Sequence, residues 1–187
     1  MKPILSVIAF ATIVVFSSPH CKKEKISSVL PPITQEGKNT IGFKVNGQVW
    51  VPYFMCNIGA NPCGEIDARY GPPNNFPQFF SFGATKKTSH VYSYISIVGN
   101  EPITTVGNKY DSVNIEYRTG NGSSLGTSYS KSPFTTTGVF EITRIDQFNQ
   151  IISGIFSFKL YNVSGGLDSV EITEGRFDFK MNACICR

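Results

Sequence analysis

From Thr40 to the C terminus, apolar residues recur at every second position in short runs, and no stretch of ten or more residues has a period near 3.6. A period of two fits extended strands with one dry and one wet face. Val113, Ile115 and Tyr117 alternate in this way with Ser112, Asn114, Glu116 and Arg118, the pattern of an antiparallel sheet with one solvated side. Asn46-Gly47 separates an Ile41, Phe43, Val45 run from a Val49, Val51, Tyr53 run. Both turn residues accept positive φ, so a hairpin is predicted there. Further strands are predicted over 79–84, 90–98, 112–118, 137–145, 150–161, 169–173 and 176–186. Gly, Pro, Asn and Ser concentrate at 57–77 and 119–136, which read as loops.

A weak repeat runs through the last third. Gly138, Phe140 and Ile142 match Gly154, Phe156 and Phe158, and again Gly175, Phe177 and Phe179. Each glycine allows close approach, and the two residues that follow at spacing two share a face. Three such strands predict a meander around a shared aromatic core. With 15 Phe and 8 Tyr there is ample material for one, and 41% hydrophobic against 16% charged residues excludes a wholly disordered chain. The expectation is a single all-β domain over 40–187, either an antiparallel sandwich or an up-and-down barrel of about eight or nine strands.

The N-terminus reads as a secretory signal over residues 1–20. Lys2 precedes a 14-residue apolar run from Pro3 to Phe16, shorter than the roughly 18 residues of a membrane span. The break Ser17-Ser18-Pro19-His20 leads to Cys21, which resembles a bacterial lipoprotein processing site. There the cysteine thiol takes the diacylglycerol and becomes the first residue; thiolate nucleophilicity is what requires cysteine. Two or three acyl chains give a stable membrane anchor. His20 and Ser18 depart from the small and aliphatic residues usual before the cysteine. A secreted, unlipidated chain is the alternative. Residues 21–39, with Pro31-Pro32 and no periodicity, read as a flexible tether. Setting aside Lys2, Lys22, Lys23, Lys25 and Glu24, the chain from Ile26 onward has 13 basic and 12 acidic residues, so no basic field remains for nucleic acid.

Phe43-Lys-Val45-Asn-Gly47-Gln-Val-Trp50, Ile151-Ile-Ser-Gly-Ile-Phe-Ser-Phe158 and Glu174-Gly-Arg-Phe-Asp178 resemble a β-domain of Bacteroidota envelope lipoproteins. The likeness spans most of residues 40–180. It implies an outer-membrane lipoprotein facing the periplasm or the cell surface. It implies no catalytic residue and no cofactor, because no activity is established for that family.

Beyond Cys21, four cysteines remain: Cys56, Cys63, Cys184 and Cys186. In an exported domain they suggest two disulfides. Alternation over 176–186 puts both late thiols on one side, which favours joining each to Cys56 or Cys63. Such loops of more than about 100 residues each contribute roughly 4–5 kcal/mol on the entropic account. The alternative is Cys56–Cys63 with a strained Cys184–Cys186 bridge. The Cys-x6-Cys and Cys-x-Cys spacings are poor for zinc.

Histidine is limited to His20 and His90, and no nucleophile elbow, zincin or phosphate-loop motif occurs. Glu65 and Asp67, and the late Asp168, Glu171, Glu174 and Asp178, read as solvated turn residues. Tyr92 and Tyr94 read as sheet-surface tyrosines. The expectation is therefore a non-catalytic binding or interaction module whose ligand is an apolar small molecule, a glycan or an envelope protein. The alternatives are an envelope hydrolase using loop carboxylates and a purely structural lipoprotein.

Overall fold

A computed structural model describes residues 27–54, 66–70, 80–100, 104–121, 126–131, 138–165, 167–180 and 183–185. Cys21 and the expected signal segment lie outside them, as do Cys56, Cys63, Glu65 and Cys186. The first strands are β1 (Thr40–Val45), β2 (Gln48–Trp50), β3 (Tyr53–Phe54) and β4 (Ile66–Tyr70). Then come β5 (Phe80–Lys87), β6 (Val91–Gly99), β7 (Gly107–Asn108) and, after a 3-10 turn at Tyr110–Ser112, β8 (Val113–Asn121). The last five are β9 (Thr127–Ser130), β10 (Gly138–Asp146), β11 (Ile151–Asn162), β12 (Ser169–Lys180) and β13 (Ala183–Ile185). The domain is all-β, as the alternation predicts. Every strand pair is antiparallel except β3 with β5.

The strands form one sheet in the order β13-β4-β5-β6-β8-β9-β11-β12-β1-β2, with β10 beside β11. Only Met181 and Asn182 separate β12 from β13, yet β13 pairs with β4 at the far end of that path. Three Cα steps reach no more than about 11 Å. The two ends of the sheet are therefore close, and the sheet is curled into a half-barrel. Its halves face each other across rings: Phe82 of β5 meets Phe177 and Phe179 of β12 at 5.2 and 5.0 Å, with no strand pairing between them.

The predicted hairpin is present, with Asn46 and Gly47 both at positive φ (49° and 80°). Asn46 is also stitched to β12: its N–H donates to the Glu171 carbonyl and its Oδ1 accepts the Glu171 N–H, both at 2.8 Å. Trp50 stacks on Phe43 at 4.4 Å and donates its Nε1–H to Ser93 Oγ at 2.8 Å, joining β2 to β6 across the interior. Ser93 is buried, so Trp50→Phe leaves its hydroxyl short of a partner. The expected loss is about 1–2 kcal/mol by urea denaturation; an unchanged midpoint would count against the bond.

The glycine repeat is the β10-β11-β12 meander. Its physical basis is the cross-strand pairing of each glycine with a phenylalanine: Gly138 with Phe158, Gly154 with Phe177, Gly175 with Phe156. At Gly154 and Gly175 the facing ring fills the space that a side chain would occupy.

Five expectations need correction. Segment 57–77 contains β4, and 119–136 contains β9 and the end of β8. The strands expected at 169–173 and 176–186 are instead one continuous β12 followed by the separate β13. Of the expected tether, residues 34–38 bond to the sheet through Asp178. Asp178 itself is buried, not a solvated turn residue.

Candidate functional site

Asp178 sits between Phe177 and Phe179 and so faces away from the aromatic core, yet it is only 1% exposed. The N-terminal strap covers it. Oδ1 accepts from Ser153 Oγ (2.7 Å) and the Gly37 N–H (2.8 Å). Oδ2 accepts from Thr34 Oγ1 (2.6 Å) and the N–H groups of Glu36 (3.0 Å) and Lys38 (3.1 Å). Burial pushes the carboxyl up, but the donors from Thr34, Lys38, Ser153 and Gly37 together hold it below its ordinary value. With five donors the group is satisfied, and its role is to fasten the strap. Leu30 and Pro31 of the strap cover Gly42, and Arg176 Nη1 donates to the Pro31 carbonyl.

The other described acids highlighted by the sequence do not converge. Asp67 pairs with Arg69 on the exposed face of β4. Asp168 accepts the Tyr129 hydroxyl at 2.7 Å. Glu174 pairs with Lys44 in a bulge where its φ is +52°, and Glu171 is exposed. His90 is exposed in the turn before β6, where its N–H donates to Thr88 Oγ1. Among the described residues no three His, Cys, Asp or Glu gather as a metal site. Tyr92 and Tyr94 stand on the outer face of β6, with Lys87 Nζ 5.3 Å from the Tyr92 ring centre and Tyr94 filling the space beside Gly83.

The β13 register sets Cys184 opposite Asp67, in the strand that begins three residues after Cys63. Cys56, Cys63 and Cys186 lie outside the described residues. The expected pairing is tested by peptide mapping without reductant: linked peptides containing one early and one late cysteine are expected, and a Cys184–Cys186 loop alone would refute it.

A groove of about 430 Å³ opens on the outer face where β9 ends. Glu116 of β8 pairs with Ser130, the last residue of β9, while β8 continues to Val113 without that neighbour. Lys131 caps the edge so exposed by donating Nζ to the Val113 carbonyl at 3.0 Å. Val98 gives the groove an apolar patch, and Ser96, Asn114, Glu116, Ser130 and Lys131 give it polar walls. The Arg118 guanidinium donates twice to Glu116, at 2.8 and 3.0 Å, and is the largest cause holding that carboxyl below its ordinary value; Ser128 assists and burial opposes. Nothing in the sequence singles out these residues, since the groove arises from the unequal lengths of β8 and β9.

Compared with protein-family models, curated proteins and solved structures, the chain gives no match.

Proposed function

We propose that the chain is a cell-envelope domain, lipid-anchored at Cys21 and held at the outer membrane, that binds a glycan or an envelope protein rather than catalysing a reaction. The groove between β6, β8 and the end of β9 carries the reading. Its volume falls in the range of small-ligand sites, and it combines an apolar patch with fixed polar groups. The interior favours a surface ligand over an apolar one held inside, because rings from facing strands meet there at 5–6.5 Å. The described acids are bonded to basic, hydroxyl or amide neighbours, with Glu171 and others left as exposed side chains.

Two measurements test this. The intact mass of the protein extracted from its own envelope is expected to equal a chain beginning at Cys21 plus diacylglycerol. Cys21→Ser is expected to release the protein from the membrane, and an unlipidated wild-type mass would end the anchoring proposal. Envelope glycan fragments and envelope proteins are then assayed against Val98→Glu, which places a charge in the groove. Binding is expected to weaken at least about tenfold with the fold intact. Unchanged binding would exclude the groove. Loss of a hydrolytic activity in folded Asp67→Ala, Asp168→Ala or Glu174→Ala would favour catalysis instead.

A further inference from the structure

The registers put several turns at one end of the sheet. Val45 pairs with both Gln48 and Ile172, so the Asn46-Gly47 turn lies toward the start of β12. The end of β11 at Asn162 meets β9 at Tyr129, and Tyr129 meets β8 at Tyr117. The ends of β8 and β5 meet the start of β6 at Val91 and Tyr92. The turns 46–47, 88–90 and 163–168 therefore share this end. The turn that carries Phe148 lies at the other, where Ile151 pairs with Lys180.

The strap leaves toward the first of these ends. Followed backward, Asn39 Oδ1 accepts the Lys180 N–H, the amides of Glu36, Gly37 and Lys38 reach Asp178, and the Pro31 carbonyl reaches Arg176. At Leu30 the chain is thus heading along β12 toward Ser169. The stretch from Cys21 to Leu30 spans at most about 32 Å. Arg176 to Ser169 covers about 23 Å of strand. The chain is long enough to clear the turns, with about 9 Å to spare.

The 163–168 turn presents apolar side chains at this end. Leu167 is 101% exposed and Val163 56%. The turn is fastened: the Val163 N–H donates to the Ser128 carbonyl and the Asn162 N–H to the Asp168 carbonyl, both at 3.0 Å. Behind the turns, Lys159 Nζ lies 5.7 Å from the Tyr161 ring centre and Lys87 Nζ 5.3 Å from that of Tyr92. Tyrosine and lysine suit a membrane interface, because each has an apolar body and a polar tip that reaches water. Single exposed apolar residues are ordinary on a protein surface. What sets Leu167 and Val163 apart is the direction in which the anchored chain departs.

Building on the Cys21 anchor proposed above, we propose that this end of the half-barrel docks on the bilayer, with Leu167 and Val163 inserted where headgroups meet acyl chains. Val98 of the outer groove lies about 24 Å along β6 from Val91. Docking therefore leaves the groove away from the membrane and open to its ligand.

The lipidated full chain is reconstituted into vesicles of phosphatidylethanolamine and phosphatidylglycerol, with and without bromine on the acyl chains. Trp50 is buried in the interior and serves as an internal reference. In Leu167→Trp the added indole is expected to lose at least about half of its emission to the brominated chains. In Phe148→Trp, at the opposite end, it is expected to lose none. Both positions are exposed, so neither substitution disturbs the core. A wild-type chain that does not sediment with vesicles would refute the anchor and the docking with it. Sedimentation with an unquenched Leu167→Trp would refute the docking and leave the anchor standing. Quenching of Phe148→Trp instead would refute the orientation. An indole at position 167 shielded from acrylamide in intact envelopes, yet untouched by brominated lipid, would assign the turn to an envelope protein and overturn the proposal.

Discussion

Asp178→Asn is expected to lower the melting temperature by about 10 °C and to free the strap at residues 34–38. The five donors converge on two carboxylate oxygens. An amide keeps one of those oxygens and turns two N–H groups toward the donors of the other. Buried donors left without an acceptor cost about 1–3 kcal/mol each, and partial relaxation of the strap brings the total to roughly 3–4 kcal/mol. At about 2–4 °C per kcal/mol for a domain of this size, that gives the stated shift. Amide exchange at Glu36, Gly37 and Lys38 should accelerate, while exchange in β11 and β12 beyond the site should change less. Removing the chain up to Asn39 should cost less in the Asp178→Asn background than in the wild type, because the contacts to Asp178 are shared by both changes. A shift below about 2 °C with exchange unchanged would mean that Asp178 does not hold the strap.

The same carboxylate gives the strap a pH dependence. Its folded pKa lies below the ordinary value of an aspartate, so folding favours the ionised form. The contribution is fully present above the unfolded pKa and is lost as pH falls through the folded value. Protection of the three strap amides, taken relative to the intrinsic exchange rate at each pH, should therefore be flat from neutrality to about pH 4 and fall below it. Asp178→Asn should abolish that fall.

Much of the fold is legible because alternation states both strand and face. The Asn46-Gly47 turn and the β10-β11-β12 meander carry explicit local signals, a positive-φ pair and a repeated glycine, and both are present. What escapes the sequence depends on distant partners. β4 is five residues inside a polar segment, and it is a strand because Ile66 and Ala68 bury against β5. β9 is four residues whose register is set by β8 and β11. Asp178 occupies an outward position as alternation predicts, and its burial comes from a strap about 140 residues earlier in the chain. The groove belongs to the same class, because it is made by register between strands, and register is not written in any one strand.

The meander yields the other large expected effect. An added Cβ at Gly154 would press against the Glu141 carbonyl oxygen and the Phe177 ring; at Gly175 it would press against the Phe156 ring. Glycine in a strand interior is otherwise unfavourable, so steric need is the reason for its presence at both positions. Gly154→Ala is expected to cost about 3 kcal/mol or more, because Glu141 is backbone in a paired strand and cannot step aside. Gly175→Ala meets a side chain instead and should cost about 2 kcal/mol. That difference provides a sharper test. Phe156→Leu alone opens a void and should cost about 1–2 kcal/mol. Combined with Gly175→Ala it gives the new methyl group room, so the double variant should be more stable than the sum of the two losses by about 1 kcal/mol in urea denaturation. No such relief should follow when Phe177→Leu is combined with Gly154→Ala, because the Glu141 carbonyl still blocks the site. Strict additivity at Gly175 and Phe156 would show that the glycine is not there to receive the ring.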